Sequence, residues 1–407
     1  MTATRTENGL PAPENRSYVR RLAEVGLASA KLGLTSFGGP IAHIGYFHHE
    51  YVRRRKWLDE RGYADLVALC QFLPGPASSQ VGIGVGLIRA GLLGGAIAWL
   101  GFTLPSAVAL ALFAIVWQSF DIAGAGPIHG LHLAAVAIVA QAVLGMGQKL
   151  AQGRSRATIA VCAAAVALLW PSALGQVAAI AGAALIGWLL YAKEQPADDA
   201  PALQVPVGRK TAVVCLALFA ALLVALPLAR LAAPGVWLSM IDSFYRSGSL
   251  VFGGGHVVLP LLEREFVPAG SIARESFLAG YGAAQAVPGP LFTFAAYIGA
   301  AMKGAAGAVV ATIAIFLPAF LLVVGCLPYW NSLRRYPAAQ AAMAGANAAV
   351  VGILLAALYS PLSVAAVGKP ADFALAAVLY AALAFWKLPP WLVVLAGALG
   401  GSLVAAL

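Results

Sequence analysis

Ser36 to Trp57 reads SFGGPIAHIGYFHHEYVRRRKW, and Val251 to Val267 reads VFGGGHVVLPLLEREFV. Both leave an apolar stretch, break at Phe-Gly-Gly and end in charge. Glycine lacks a Cβ and proline lacks an amide hydrogen, so either residue ends a helix. The same break made twice, 215 residues apart, is the feature that decides the fold.

The breaks are embedded in the composition of a membrane protein. Of 407 residues, 61% are hydrophobic and 10% charged, against roughly 25% charged in soluble domains. Apolar runs near the 20 or so residues that span a bilayer recur, among them Gly91–Trp117, Thr211–Leu228 and Gly304–Cys326. A soluble enzyme with a large core is excluded, because the polar shell such a core needs is missing. The net charge of +10 does not point to nucleic acid, since lysines and arginines sit in short loops between apolar runs, where they set topology. Cys70, Cys162, Cys215 and Cys326 are isolated and form no CxxC. Neither a disulfide framework nor a zinc site is supported. The first 17 residues are polar, predict a frayed tail and lack the apolar core of a signal peptide.

The halves match at more than one motif. Phe37-Gly38-Gly39 pairs with Phe252-Gly253-Gly254 at a spacing of 215, Pro74-Gly75-Pro76 with Pro288-Gly289-Pro290 at 214, and Leu104-Pro105 with Leu317-Pro318 at 213. Lys31 pairs with Arg246 at 215, and Arg89 with Lys303 at 214. Ordered anchors drifting by one residue indicate duplication. The division is a polar tail at 1–17, a first repeat at 18–190, a linker with an extra transmembrane helix at 191–235 and a second repeat at 236–407. One extra crossing between repeats with even crossing numbers inverts the second, a recurring plan of secondary transporters. The expected fold is an all-α polytopic membrane protein, two homologous halves forming an inverted repeat with broken or re-entrant helices at FGG and PGP. The broken segments either cross once, giving about 13 spans, or dip in and return, giving about nine spans and four re-entrant pairs. The second option places Arg16, Arg20, Arg21, Arg53–Arg55, Lys56 and Arg61 on one side, a consistent positive-inside map with an intracellular N-terminus.

In hydrocarbon, loose backbone groups survive only against protein or a watery cavity. FGG and PGP serve either as packing kinks between small residues or as a site. Half-helices restart near Pro40, Pro76, Gly255 and Pro290, with free N–H groups and a positive dipole end toward the break. Such ends bind anions. Ser78 and Ser79 add hydroxyls at one of them, Thr293 at its counterpart, and His256 follows FGGG directly. Lys31 and Arg246 each precede FGG by six residues, and a cation inside a membrane segment is a functional candidate. Their plain alternative is pairing with acids such as Glu24 and Asp242. The candidate substrate residues are therefore Lys31, Phe37, Gly38, Gly39, Pro74, Gly75, Pro76, Ser78, Ser79, Arg246, Phe252, Gly253, Gly254, His256, Pro288, Gly289, Pro290 and Thr293. Glu50 and Glu265, also equivalent, are candidates for proton coupling or for interfacial pairing. Arg89 and Lys303 read as interfacial anchors, His129 and His132 as structural. The pattern at His43, His48, His49 and Glu50 is a weak metal spacing, and no metal or cofactor is expected.

With both repeats laid out, the chain resembles the chromate ion transporter (CHR) family, long-chain bidomain type. The residues that carry this are SFGGPIAHIGYFHHEYV at 36–52, CQFLPGPASSQVGIGVGLIRAGLLGG at 70–95, VFGGGHVVLPLLEREFV at 251–267 and AQAVPGPLFTFAAYIG at 284–299. The resemblance implies a multi-pass protein of the bacterial inner membrane that expels chromate, driven by the proton gradient, and confers resistance. Sulfate, a tetrahedral dianion of similar shape, is the implied competitor. The expected partners are chromate and the lipid bilayer, with a homodimer compatible and no nucleic acid. Gly255 stands where the first half has Pro40, a departure that makes the halves unequal. The rivals are a sulfate or other oxyanion importer, an anion channel without proton coupling, and a membrane enzyme. No convergent nucleophile, base or metal set supports the last of these.

Overall fold

A computed structural model describes residues 17–119, 126–192, 206–252, 255–330 and 336–406. The polar tail before residue 17, most of the polar linker, and Gly253 and Gly254 lie outside the described residues. Within them all regular structure is helical.

The first half runs α1 (Tyr18–Thr35), α2 (Gly39–Phe47) continued by a π-helical turn (His48–Arg54), α3 (Glu60–Phe72), α4 (Ala77–Ser119), α5 (Gly126–Leu150), α6 (Arg154–Leu169) and α7 (Ala173–Tyr191). The extra helix is α8 (Arg209–Ala232). The second half repeats the order as α9 (Val236–Leu250), α10 (Val258–Phe266), α11 (Arg274–Ala286), α12 (Phe294–Cys326), α13 (Pro337–Ala357), α14 (Pro370–Ala384) and α15 (Pro390–Ala406). Among the described residues, six helices are long and apolar enough to cross a membrane. α14 and α15 are apolar but shorter.

Both kinds of broken segment fold back on themselves. Lys31 on α1 reaches Glu50 at 3.0 Å, and Ser29 lies 3.4 Å from the Tyr51 hydroxyl. A continuous helix would hold Lys31 and Glu50 about 28 Å apart at 1.5 Å per residue, so FGG is a hairpin turn. PGP is another. A Cβ at Gly84 would lie 2.6 Å from Leu66, and Gly280 lies under the Tyr297 ring. These are the dip-and-return segments of the sequence reading.

A third break falls where the sequence begins the apolar spans Gly91–Trp117 and Gly304–Cys326, just after Arg89 and Lys303. α4 leaves helical geometry at Ala90 (φ −146°) and Gly91 (φ 67°), and α12 does so at Lys303 (φ −144°) and Gly304 (φ 62°). Each helix folds back there, Gly86 against Gly94 and Gly299 against Gly307, backbone on backbone. The sequence reading had paired Arg89 with Lys303. By backbone conformation, Ala90 is the equivalent of Lys303, one residue later.

In each half three helices follow the long arm of α4 or α12, and α8 stands between the halves, the element order of an inverted repeat. The halves also interleave. α6 and α7 pack on α13 of the second half, and α14 and α15 pack on α5 of the first. Glycines set these approaches. Gly130 on α5 meets the backbone at Gly397 and Gly401 of α15, Gly187 meets Gly345, and Gly352 meets Ala160. Close approach of small residues is the main packing device where no hydrophobic force separates helix from lipid. Gly130→Leu has no space for its side chain. The expected result is loss of monodisperse full-length protein on size-exclusion, whereas Gly145→Leu, where a Cβ meets nothing within 4 Å, elutes as wild type.

Candidate functional site

Each PGP turn donates a backbone hydrogen bond into the opposite half. Gly75 N–H donates to the Val251 carbonyl at 2.6 Å, and Gly289 N–H to the Ser36 carbonyl at 2.9 Å. The acceptors are the residues just before the two Phe-Gly-Gly breaks. The two bonds interchange by the repeat spacing, so the breaks meet about a pseudo-twofold axis. Pro40 and Gly255, also equivalent, face each other there. A Cβ at Gly255 would sit 3.7 Å from Pro40 Cγ and 3.5 Å from Leu291 Cβ. Four breaks far apart in the chain are thus one place in the fold.

Glycine is needed at both PGP turns. Gly75 and Gly289 have φ of +123° and +103°, a region that L side chains avoid. A Cβ on Gly289 would stand 2.8 Å from Ser106 Oγ, and one on Gly75 would stand 2.9 Å from Gln80 Nε2 and 3.2 Å from Ala319.

Helices restart at the breaks as expected, but not alike. α2 begins at Gly39 with Pro40 in its first turn, and α4 begins at Ala77. In the second half, short 3-10 turns at Gly255–Val257 and Leu291–Thr293 come first. The polar side chains differ more. Ser36, His43, Ser79 and Thr103 are buried, and Ser36 Oγ, His43 Nε2, Ser79 Oγ and Thr103 Oγ1 have no hydrogen-bond partner among the described residues. Contacts link them. His43 Nδ1 lies 3.3 Å from Ser78 Oγ, its ring stands edge-on to Phe102, and Ser106 Oγ donates to the Thr103 carbonyl at 3.1 Å. Buried polar groups without partners are rare in native structures, and a cluster of them beside helix starts suits an acceptor-rich ligand.

The second half has no such cluster at the matching positions. Ser36, His43, Ser78, Thr103 and Ser106 correspond to Val251, Val258, Phe292, Phe316 and Ala319, all buried. Thr293 corresponds to Ser79, but its hydroxyl donates to the Pro290 carbonyl at 2.7 Å. His256 is held by the Tyr281 hydroxyl at 3.0 Å. Phe252, Pro288 and Pro290 keep their places at the breaks. The duplicated backbone is therefore lined with polar groups on one side and apolar groups on the other. Reading the repeats for their mismatches, rather than their matches, would have exposed Ser36, His43 and Thr103 in the sequence.

The two motif cations are paired. Lys31 shares Glu50 with Arg54 at 3.0 Å and Arg55 at 2.7 Å. Arg246 binds Asp242 and Glu265, each at 2.7 Å. Arg230 of the extra helix reaches Asp242 at 3.1 Å, and Ser243 donates to Glu265 at 2.7 Å. Sequence reasoning missed Arg230. Three cations on one carboxylate favour its charged form, so Glu50 is an ion-pair centre in this arrangement. Both clusters stand about 9 Å up the helix from FGG, by the rise of six residues. They act on the breaks through their field and not by contact. That field is unequal, because the first cluster carries an excess of cations and the second balances. Arg89 pairs with Glu24 at 3.3 Å. His48 turns to Glu60 and His43 to Ser78, so the histidines near Glu50 do not converge. His129 binds Asp372 of the other half at 2.6 Å, and His132 meets the Glu275 carbonyl.

Among curated proteins, the chain is 31% identical to the chromate transport protein of Pseudomonas aeruginosa, over 92% of this chain and 90% of that one. It is 29% identical to the probable chromate transport protein of Synechococcus elongatus, over 81% of each. It is 25% identical to an uncharacterized transporter of Methanocaldococcus jannaschii, over 75% of each. No solved structure matches. The family model described as chromate transporter matches twice, at residues 23–188 and 238–402, once in each half. The chain, with its paired breaks, belongs to the chromate transporter family.

Proposed function

We propose that this protein exports chromate from the cytoplasm across the bacterial inner membrane, coupled to the proton gradient, and so confers chromate resistance. The observation that carries this reading is the reciprocal pair of bonds from Gly75 and Gly289, which gathers four helix breaks beside unpaired buried donors. A tetrahedral dianion has acceptors on every side, and the restarting helices present N–H groups with a positive dipole end. The proposed site consists of Phe37, Gly38, Gly39, Pro74, Gly75, Pro76, Ser78 and Ser79, with Ser36, His43 and Thr103. Phe252, Pro288, Gly289 and Pro290 form the facing wall. Lys31 and Arg246 set the potential from a turn and a half away. Sulfate, with the same shape and charge, is the expected competitor. The interleaved helices give a frame against which the hairpins move for alternating access.

Labelled chromate uptake by everted vesicles tests the reading. Uptake should rise when a proton gradient is imposed, collapse with a protonophore and fall with added sulfate. Sulfate movement without chromate movement would transfer the function to sulfate. Gradient-independent flux of either ion would indicate a channel.

A further inference from the structure

Within the proposed oxyanion site, we infer that His43 is the residue through which anion binding and proton binding are linked, with its Nε2 as the donor. The inference rests on the site reading above and assigns one residue a task in it.

His43 is 1% exposed. One edge of its ring is fixed, Nδ1 lying 3.3 Å from Ser78 Oγ in the first turn of α4. The ring also lies against the Ser36 carbonyl, at the entrance to FGG. It thus bridges the two breaks of the first half. Nε2 makes no hydrogen bond among the described residues. Among the described residues the ring's partners are Ser78, Phe102 and Ser36, none of them charged. The titratable groups on the elements packed around it include Tyr63, whose hydroxyl donates to the Ile44 carbonyl, His48 with Glu60, Glu50 with Lys31, Arg54 and Arg55, and Glu24 with Arg20 and Arg89. Those carboxylates are already paired with cations or with His48.

A buried charge is stable only when paired. An imidazolium at His43 has no counter-charge until an oxyanion occupies the site. The anion would then hold the proton on Nε2. By linkage, protonation must tighten the anion in the same ratio. Binding should therefore strengthen as pH falls, by up to about tenfold per pH unit, the limit for one linked proton. The second half has no counterpart, since Val258 stands at the equivalent position and its own histidine, His256, is held by the Tyr281 hydroxyl at 3.0 Å.

The test is equilibrium binding of labelled sulfate to the purified full-length protein between about pH 6 and pH 8, the range in which histidine titrates. Sulfate stays a dianion throughout, so the probe adds no titration of its own. Wild type should bind more tightly toward pH 6. His43→Gln keeps a donor that does not ionise. It should bind with one affinity across the range, no tighter than wild type at pH 8. Size-exclusion and a thermal melt confirm that it is folded, and His43→Asn serves as a second variant. A wild-type slope retained in both variants overturns the inference, as does a flat profile for a wild type that binds. If wild type binds neither sulfate nor chromate at any pH, the oxyanion site itself is wrong, and the inference goes with it.

Discussion

Gly289→Ala is expected to reduce chromate transport at least a hundredfold while leaving the protein in the membrane at near-normal level. At φ +103° the alanine is strained, at a cost of about 1–3 kcal/mol. Its methyl also meets Ser106 Oγ, and the turn must shift. The shift stretches the bond from Gly289 N–H to the Ser36 carbonyl that holds the two halves' breaks together. The strain is a small part of total stability, but the geometry it disturbs is the site. Gly75→Ala should behave alike, since its amide makes the reciprocal bond to Val251. Gly153→Ala is the control. Its φ is +82°, yet a Cβ there meets nothing within 4 Å, and it lies in the loop between α5 and α6. Backbone strain without the contact should cost little. Equal loss in Gly153→Ala and Gly289→Ala, measured by vesicle uptake at matched expression, would defeat the argument.

Arg246→Ala is expected to be far more damaging than Lys31→Ala, although the two positions are equivalent. Arg246 is the shared partner of Asp242 and Glu265, whose side chains are 2% and 9% exposed. Removing it leaves two buried carboxylates with only Arg230 between them. Breaking a buried pair costs on the order of 3–5 kcal/mol, because the remaining charge is uncompensated. Lys31 is half exposed, and Glu50 keeps Arg54 and Arg55 without it. Its removal leaves stability nearly unchanged and lowers only the positive field near the first break. Thermal melts of the two variants separate these expectations. Adding Asp242→Asn and Glu265→Gln to Arg246→Ala should restore most of the melting temperature. If Lys31→Ala destabilises as much as Arg246→Ala, the charge account of the clusters fails.

Much of this architecture was legible in the residues. Glycine and proline forbid helix continuation by local sterics alone, so FGG and PGP marked their turns without any tertiary knowledge. The recurrence of those motifs then gave the duplication, and the apolar run after Lys210 gave the inverting helix. The boundary after Arg89 was legible, since the next apolar run starts at Gly91; the close backbone approach of Gly86 to Gly94 was not, because a glycine between small residues reads equally well as ordinary helix packing. Partnerships were hidden too. Lys31 and Arg246 sit in membrane segments, but which carboxylate each meets depends on how hairpins fold back, and spacing along one helix does not encode that. Arg230 lies in the extra helix, outside the repeat logic entirely. His43 was overshadowed by the neighbouring His48-His49-Glu50. Its importance comes from Ser78, which a turn at PGP brings back from 35 residues away.

The interleaving of α5 with α15 has a consequence for how the protein is made. Gly130 cannot meet Gly397 until a further 267 residues have been synthesised. At about 5–20 residues per second, α5 waits roughly 13–53 s in the bilayer with its small-residue face uncovered. α6 and α7 wait likewise for α13. The first repeat therefore enters the membrane as an unfinished object, and the second repeat arrives as its missing interior. Closure comes late and in two steps, α13 over α6 and α7 and then α15 over α5, and a ribosome that stops before α15 leaves the α5 face as an exposed seam.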